Sequence, residues 1–379
     1  MKDIFFMKRA IYLAQKGIFN TAPNPNVGCV IVNNKKIVGE GWHQKAGDLH
    51  AEIIALKSAG IKSKGSTMYV TLEPCSHFGK TPPCCKYIIQ SQITRVVIAV
   101  KDPNPINHGK GIKWLSQSGI QVKYNLLALE SKKINKGFFK RMITGYPYTQ
   151  LKLACSLDGR TATENGDSKW ITSSFSRQDV HKFRAQSSAI LSTSSTVLKD
   201  NPLLTVRNVN IEKTMIPIKT KYYSKLIHQP TRIIIDSQNQ VKPFHNCINI
   251  PGKVILARLH KDNESWPTNV KQILLDKKND KIYLKKLFLL LGKLEFNIIW
   301  VESGPTLAGL LLQYHLVDEL IVYISPKLLG HKSKPLLFLD KSLSGLSSNF
   351  LKLIFTNVQT IGSDIRLTLK PIYQKKSFL

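Results

Sequence analysis

At 379 residues the chain has room for two domains, and its 42% hydrophobic and 21% charged content is that of a folded globular protein, not a disordered or fibrous one. Lys and Arg outnumber Asp and Glu by 55 to 24, a net charge of +31, yet the excess is diffuse: +15 over residues 1–150 and +16 over residues 151–379. A basic tail or block of the kind that tracks nucleic acid is absent from this pattern, and a positive surface equally suits a small anionic substrate.

In chain order, Phe5–Gly17 has the apolar spacing of a helix. Gly28–Val32 and Lys36–Gly41 read as a strand pair turning at Asn33-Asn34. His50–Ala59 follows as a helix, Thr67–Leu72 as a strand, Cys84–Ser91 as a helix and Arg95–Val100 as a strand. Helices interleaved with short apolar strands indicate an α/β sandwich. A basic stretch closes in Gly145-Tyr146-Pro147, and a second alternating pattern begins there, with strands at Tyr148–Leu153, Ala189–Leu191, Arg232–Asp236, Lys253–Leu256, Ile298–Val301 and Glu319–Ser325. The domains are therefore expected at 1–146 and 147–379, with a polar surface loop over 211–230. Met1–Gly17 is broken by Asp3, Lys8, Arg9 and Lys16, unlike a signal peptide, and apolar runs such as Leu287–Leu291 are too short to span a membrane. A cytoplasmic protein with no membrane partner is expected.

The chemistry is densest in the first third. His50-Ala51-Glu52 opens a helix, Glu73-Pro74-Cys75 follows a strand, and Thr81-Pro82-Pro83-Cys84-Cys85 reads as a helix start capped by Thr81. One imidazole and two thiolates leave the fourth tetrahedral position of a zinc ion open, the pattern of a catalytic site. A thiol in a first helical turn is expected to have a lowered pKa. Glu52, two residues from a ligand, is placed to shuttle a proton, as in zinc nucleobase deaminases. Eight residues separate Cys75 from Cys84 instead of the usual two, and Cys85 rivals Cys84, since neighbouring helical positions point about 100° apart.

Longer strings carry a resemblance. Thr21–Gly28, His50-Ala51-Glu52, Thr71–Cys85 and Asp102-Pro103-Asn104-Pro105 resemble the bifunctional riboflavin-biosynthesis deaminase/reductase family, whose own pattern has the long insert and selects Cys84. Leu151–Arg160, Trp170–Ser173, Thr196–Arg207 and Val301–Leu307 resemble its reductase half. The resemblance implies a cytidine-deaminase-like three-layer sandwich followed by a dihydrofolate-reductase-like domain. It implies zinc on His50, Cys75 and Cys84 with Glu52 catalytic, and His43, Lys80 and Asn104 on the substrate's ribose phosphate. In the second half it places NADPH at Ala154, Trp170, Thr196, Asp200, Ser237 and Gly304, Pro305, Thr306, Leu307, Ala308, Gly309 and Leu310. It places substrate at Ser168, Arg184, Leu204, Arg207 and Glu302, with Lys152 and Asp200 orienting the sugar or relaying a proton. Independently, a strand running through Gly304 into a helix at Pro305 offers free backbone N–H groups to a phosphate, and no Gly-x-Gly-x-x-Gly marks a Rossmann domain.

The expected activity is zinc-dependent deamination of a diaminopyrimidinone ribotide, then NADPH-dependent reduction of its ribosyl chain. The expected partner is that small phosphorylated pyrimidine and not nucleic acid, with pairing through the reductase domain implied by resemblance. Two rivals share the zinc motif: a tRNA-editing deaminase with a basic accessory domain, and a zinc-stabilised binding protein.

Overall fold

The computed structural model describes residues 2–78, 82–167, 170–207, 228–278, 281–339 and 351–373. The chain divides into two compact units between Tyr146 and Pro147. Lys80, Ser168 and most of the 211–230 stretch lie outside the described residues.

The first unit runs α1 (Lys2–Gln15), β1 (Gly28–Asn33), β2 (Lys36–Trp42), α2 (Ala51–Ala59), β3 (Thr67–Val70), α3 (Cys84–Gln90), β4 (Arg95–Ile98), α4 (Lys110–Gln117), β5 (Gln121–Tyr124), α5 (Ala128–Ile134) and α6 (Lys136–Thr144). Its five strands form one sheet in the order β2-β1-β3-β4-β5, antiparallel on both sides of β1 and parallel from β3 to β5. The period-2 alternation of apolar residues sorts the two faces. Cys29, Ile31, Met68, Val70, Val96 and Ile98 pack with α2, α3 and α4, whereas Val30, Val32, Tyr69 and Val97 pack with α1. The result is a three-layer sandwich. The β1–β2 turn falls one residue later than the pattern suggests, at Asn34-Lys35, because both carry positive φ (46° and 64°), the pair that a tight two-residue hairpin requires.

The second unit begins with β6 (Tyr148–Ser156), β7 (Arg160–Ala162), α7 (Ser174–Gln186), β8 (Ala189–Thr193), α8 (Ser194–Asp200) and β9 (Thr231–Ile235). It continues with α9 (Asn246–Asn249), β10 (Val254–Arg258), β11 (Val270–Leu274), β12 (Lys277–Lys278), β13 (Lys281–Ile282), α10 (Leu284–Lys293) and β14 (Ile298–Glu302). It ends with α11 (Pro305–Gln313), β15 (Glu319–Ser325), β16 (Lys334–Pro335), β17 (Lys352–Ile361) and β18 (Asp364–Ile372). The large sheet has the order β11-β10-β9-β8-β14-β6-β15-β18-β17. It is parallel from β11 to β15 and finishes in an antiparallel β18–β17 edge. That closing hairpin was not legible in the sequence, since β17 is exposed at every residue but its last and lacks the alternation that marks a half-buried strand. No described helix is long and apolar enough to cross a membrane.

One contact aims the first unit's helix. A Cβ on Gly39 would stand 2.3 Å from the Ala55 carbonyl oxygen, and one on Gly41 2.4 Å from that of Ala51. The backbone of α2 therefore lies directly on β2, with the small side chains of Ala51, Ala55 and Ala59 along the seam. Gly41→Val should push α2 off the sheet and destabilise the unit by about 1–3 kcal/mol; denaturant unfolding together with zinc content per chain checks it, and both should fall.

Candidate active site

His50 is the residue just before α2, in extended conformation, so its ring projects from the helix N-terminus. Cys75 follows β3 on a loop, and Cys84 is the first residue of α3. Pro83, not Thr81, takes the N-cap position of α3, because the helix begins at Cys84 itself. The three ligating atoms lie within 4.8 Å of one another, the only such His/Cys/Asp/Glu group among the described residues. His50 Nδ1 is 3.2 Å from Cys84 Sγ and 3.5 Å from Cys75 Sγ, and the Cys84 backbone N–H donates to Cys75 Sγ at 3.2 Å. Cys85 points the other way, its thiol toward the Pro74 and Gly111 carbonyl oxygens, so of the two adjacent cysteines it is Cys84 that joins His50 and Cys75.

The expected lowering of the Cys84 pKa is found instead at Cys75. Hydrogen bonds from the Cys84 thiol and the His50 ring hold Cys75 down to about 4 against the opposing effect of burial. Cys84, beside that negative charge and buried, is pushed well up. Two thiols this close share one negative charge until a cation joins them, and proximity outweighs the dipole of a seven-residue helix. A donor set of one imidazole and two sulfurs within tetrahedral reach fits zinc with one position open. Glu52 is buried, on the first turn of α2, and burial raises its pKa, as a proton carrier near neutrality needs.

His43 is buried with both ring nitrogens engaged: Nδ1 on the Leu49 carbonyl oxygen at 3.1 Å, Nε2 with the Asn24 amide at 3.1 Å. Its ring stands edge-on to that of His50, centroids 5.6 Å apart, and burial holds its pKa down. Asn104 uses its side-chain oxygen to accept from the Ile106 backbone N–H, shaping the loop after β4.

Two supporting residues escaped sequence reasoning. Glu73 is buried and accepts the backbone N–H groups of Asp102, Gly109 and Ile112 at 3.0–3.2 Å. Asn107, fully buried, accepts from the backbone and hydroxyl of Ser76 and donates to the Pro74 carbonyl and Asp102. Together they fix Pro74–Ser76 around Cys75.

In the second unit, β6 and β14 run parallel with Lys152 opposite Glu302. Arg184 from α7 grips Glu302 with two hydrogen bonds, 2.6 and 2.8 Å, and Trp300 donates to the same carboxylate at 2.8 Å. Burial would raise the Glu302 pKa, but Arg184, with Lys152 and Trp300, brings it down to about 2. Burial holds Lys152 below the ordinary lysine range while Glu302 pulls it back up. Arg184 is thus already paired, and its remaining nitrogen donates to the Thr205 carbonyl. Arg207 is exposed, and the charge of Arg184 acts on it. His181, missed from sequence, accepts the Arg207 backbone N–H, and its pKa is held down to about 4 by burial, Arg184 and Arg207. Leu204 is buried in the core of the unit.

A cavity of about 910 Å³ opens at the C-terminal ends of β8, β9 and β14. Of the residues expected at NADPH, Ser237, Gly304, Pro305, Thr306, Leu307 and Leu310 line it. Ala308 and Gly309 are buried on the inner side of α11. Ala154 is half-buried on β6, Trp170 is exposed under the Arg177 guanidinium (4.3 Å), and neither lines the cavity. Thr196 stands behind Thr193 and Ser195, which do line it, and Asp200 is exposed at the far end of α8. The cavity also takes Lys278, Lys281, Tyr283, Lys334 and Phe338, from segments too distant in sequence to connect by motif. Room for a dinucleotide, polar groups at strand ends and a helix N-terminus fit NADPH.

Comparison with known proteins gives a consistent result. Residues 1–100 match the model of the cytidine and deoxycytidylate deaminase zinc-binding region, and residues 147–367 that of the RibD C-terminal domain. The riboflavin biosynthesis protein RibD of Buchnera aphidicola subsp. Baizongia pistaciae is 53% identical over 369 residues, covering 97% of this chain and 98% of the relative. That of Escherichia coli is 50% identical over 371 residues, covering 97% and 99%. The structure of Acinetobacter baumannii RibD superposes with a TM-score of 0.88 at 37% identity, covering 98% and 99% of the two chains. A deaminase/reductase from Thermotoga maritima superposes with a TM-score of 0.83 at 33% identity, again covering 98% and 99%. With its zinc-type donor set in one unit and its dinucleotide-sized cavity in the other, the chain belongs to the RibD family of bifunctional riboflavin-biosynthesis enzymes, a zinc-dependent deaminase joined to an NADPH-dependent reductase.

Proposed function

We propose that His50, Cys75 and Cys84 hold one zinc ion and that Glu52 moves the proton in hydrolytic removal of the 2-amino group from a diaminopyrimidinone ribotide. The observation that carries this reading is the convergence of one imidazole, two thiols and a buried carboxylate from three separate segments. Zinc bound there supplies an acidified water. With zinc held by His50, Cys75 and Cys84, water acidified there would be the nucleophile at C2; Glu52 would take up the proton released as the C2–O bond forms and give it to the 2-amino nitrogen, so that the C2–N bond breaks and ammonia leaves. His43, held from both sides, orients Asn24 and the wall beside His50, and Asn104 shapes the opposite loop.

The product passes to the second unit. NADPH supplies the hydride. At the sugar, hydride adds to C1′, the C1′–O4′ bond breaks and O4′ takes a proton, which turns ribosyl into ribityl. Lys152 lies beside Glu302 and is the proton source in this reading. Arg184 acts by locking Glu302 so that its carboxylate can orient the sugar hydroxyls, and exposed Arg207 meets the phosphate. Three cations (Lys152, Arg184, Arg207) against one carboxylate leave an excess of positive charge suited to a phosphate dianion. The tRNA-editing alternative loses its support, because the second unit matches a reductase domain instead of an RNA-binding accessory.

Assembly is part of the same reading. β17 is a ten-residue edge strand that pairs on one side with β18 and with no other described strand, and it exposes Leu353, Ile354, Phe355 and Val358. Long apolar edges of this kind are templates for strand pairing, and the reductase unit pairs there with a second copy of the chain.

Three outcomes are expected. Glu52→Gln should retain zinc yet lose about 100-fold or more of NADPH oxidation from the diaminopyrimidinone ribotide, while oxidation from the deaminated intermediate continues; a variant as fast as wild type from the first substrate would remove Glu52 from the mechanism. Glu302→Gln leaves Arg184 buried without its counter-charge and should cost about 3–5 kcal/mol in urea unfolding. The Glu302 pKa lies lower folded (about 2) than its usual 4.5, so its stabilisation is present above pH 4.5 and is lost as the pH falls toward 2. The stability gap between wild type and variant should close over that window. Finally, light scattering should give a dimer for wild type and a monomer for Phe355→Lys/Val358→Lys; equal masses would discard the edge-strand interface.

A further inference from the structure

The reductase cavity has a direction. The first turn of α11, Gly304 to Leu307, forms one wall, where the Thr306 and Leu307 N–H groups have no intrahelical partner and suit a pyrophosphate. Strand order then separates the two halves of a dinucleotide. β6, with Lys152, flanks β14 on one side, and β8 followed by β9 flanks it on the other. The reacting nicotinamide must approach the Lys152–Glu302 side, so the adenosine half extends toward β9, to Ile235 and Ser237.

The cavity wall also takes Lys278 and Lys281 from the paired β12 and β13, which follow β11, the edge strand on the β9 side of β14. Lys278 Nζ lies 5.3 Å from the centre of the Tyr283 ring, also on the wall, which restrains it beside the cavity. No Asp or Glu lines the cavity among the described residues. Sites that select NADH place a carboxylate on the adenosine 2′-hydroxyl, which repels a 2′-phosphate, whereas a cation in its place accommodates one. We propose that Lys278 and Lys281 receive the 2′-phosphate of the coenzyme and set the preference for NADPH over NADH.

This assignment rests on the reading of the cavity as the coenzyme site, and the test separates the two. In the full chain, Lys278→Ala, Lys281→Ala and the double variant are assayed for kcat/KM with NADPH and with NADH against 5-amino-6-(5-phosphoribosylamino)uracil. Inhibition by 2′,5′-ADP is compared with inhibition by 5′-AMP. The double variant should lose roughly tenfold or more with NADPH, as expected for a lost charge-assisted contact. It should lose nothing with NADH, and 2′,5′-ADP should become no better an inhibitor than 5′-AMP. Equal losses with both coenzymes, or no loss with either, would overturn the proposal. Gly304→Val supplies the second arm. A Cβ at Gly304, which lines the cavity, would meet no atom within 4 Å, so the fold accommodates the substitution at the wall. If that variant blocks both coenzymes while the lysine variants change nothing, the 2′-phosphate assignment alone falls. If it blocks neither, the cavity is not the coenzyme site and both readings fall together.

Discussion

Parallel strands cannot be joined by a hairpin, and the crossover that returns the chain places strand C-termini and helix N-termini along one edge of the sheet. Both active sites of this protein grow from that constraint. In the first unit Cys75 leaves the end of β3 and Cys84 opens the following helix α3, so two thiols separated by eight residues are returned to one point. In the second, the ends of β8, β9 and β14 and the start of α11 together bound the cavity that we propose for the coenzyme. The same geometry that buries the apolar strands leaves the first turn of α11, with its unpaired backbone N–H groups, on the cavity wall.

Precision comes from buried polar groups rather than from the apolar core. Pro74–Ser76 would be a free loop were it not for Glu73 and Asn107, whose side chains satisfy backbone groups of the loops on either side. Such groups are costly to bury unpaired and strongly orienting when fully paired. Gly39 and Gly41 supply the complementary device, letting α2 sit against β2 so closely that His50 and Glu52 inherit the position of the sheet. A ligand on a short loop is thereby held as firmly as one on a helix.

Charge in the reductase unit follows the same economy. Arg184 does not present its guanidinium to solvent; it spends both prongs on Glu302 and its third nitrogen on the Thr205 carbonyl. In the proposed reaction its contribution at the sugar is then transmitted through a carboxylate of fixed orientation, with Lys152 alongside. The exposed Arg207 is left for longer reach. The diffuse +31 of the chain thus resolves, at this site, into a small excess of cations around one buried anion.

The local patterns decided a great deal by themselves. His50-Ala51-Glu52, Pro74-Cys75 and Cys84 carried the zinc donor set, and apolar alternation carried nearly every buried strand, because period-2 burial and metal-donor chemistry are written in neighbouring residues. What depends on pairing between distant segments was not there to be read. The choice of Cys84 over Cys85 needed the long insert as a family pattern, or the observed turn of α3. The roles of Glu73, Asn107 and His181 exist only once loops far apart in sequence are brought within hydrogen-bond range. The resemblance puts Arg184 on the substrate, whereas the fold makes it the partner of Glu302, and Lys278 and Lys281 became cavity residues only through the sheet order. Sequence determines which chemical groups are available and the periodicity that buries them; tertiary structure decides which of those groups spend their charge on each other and which remain for the ligand, since that depends on distance and burial alone.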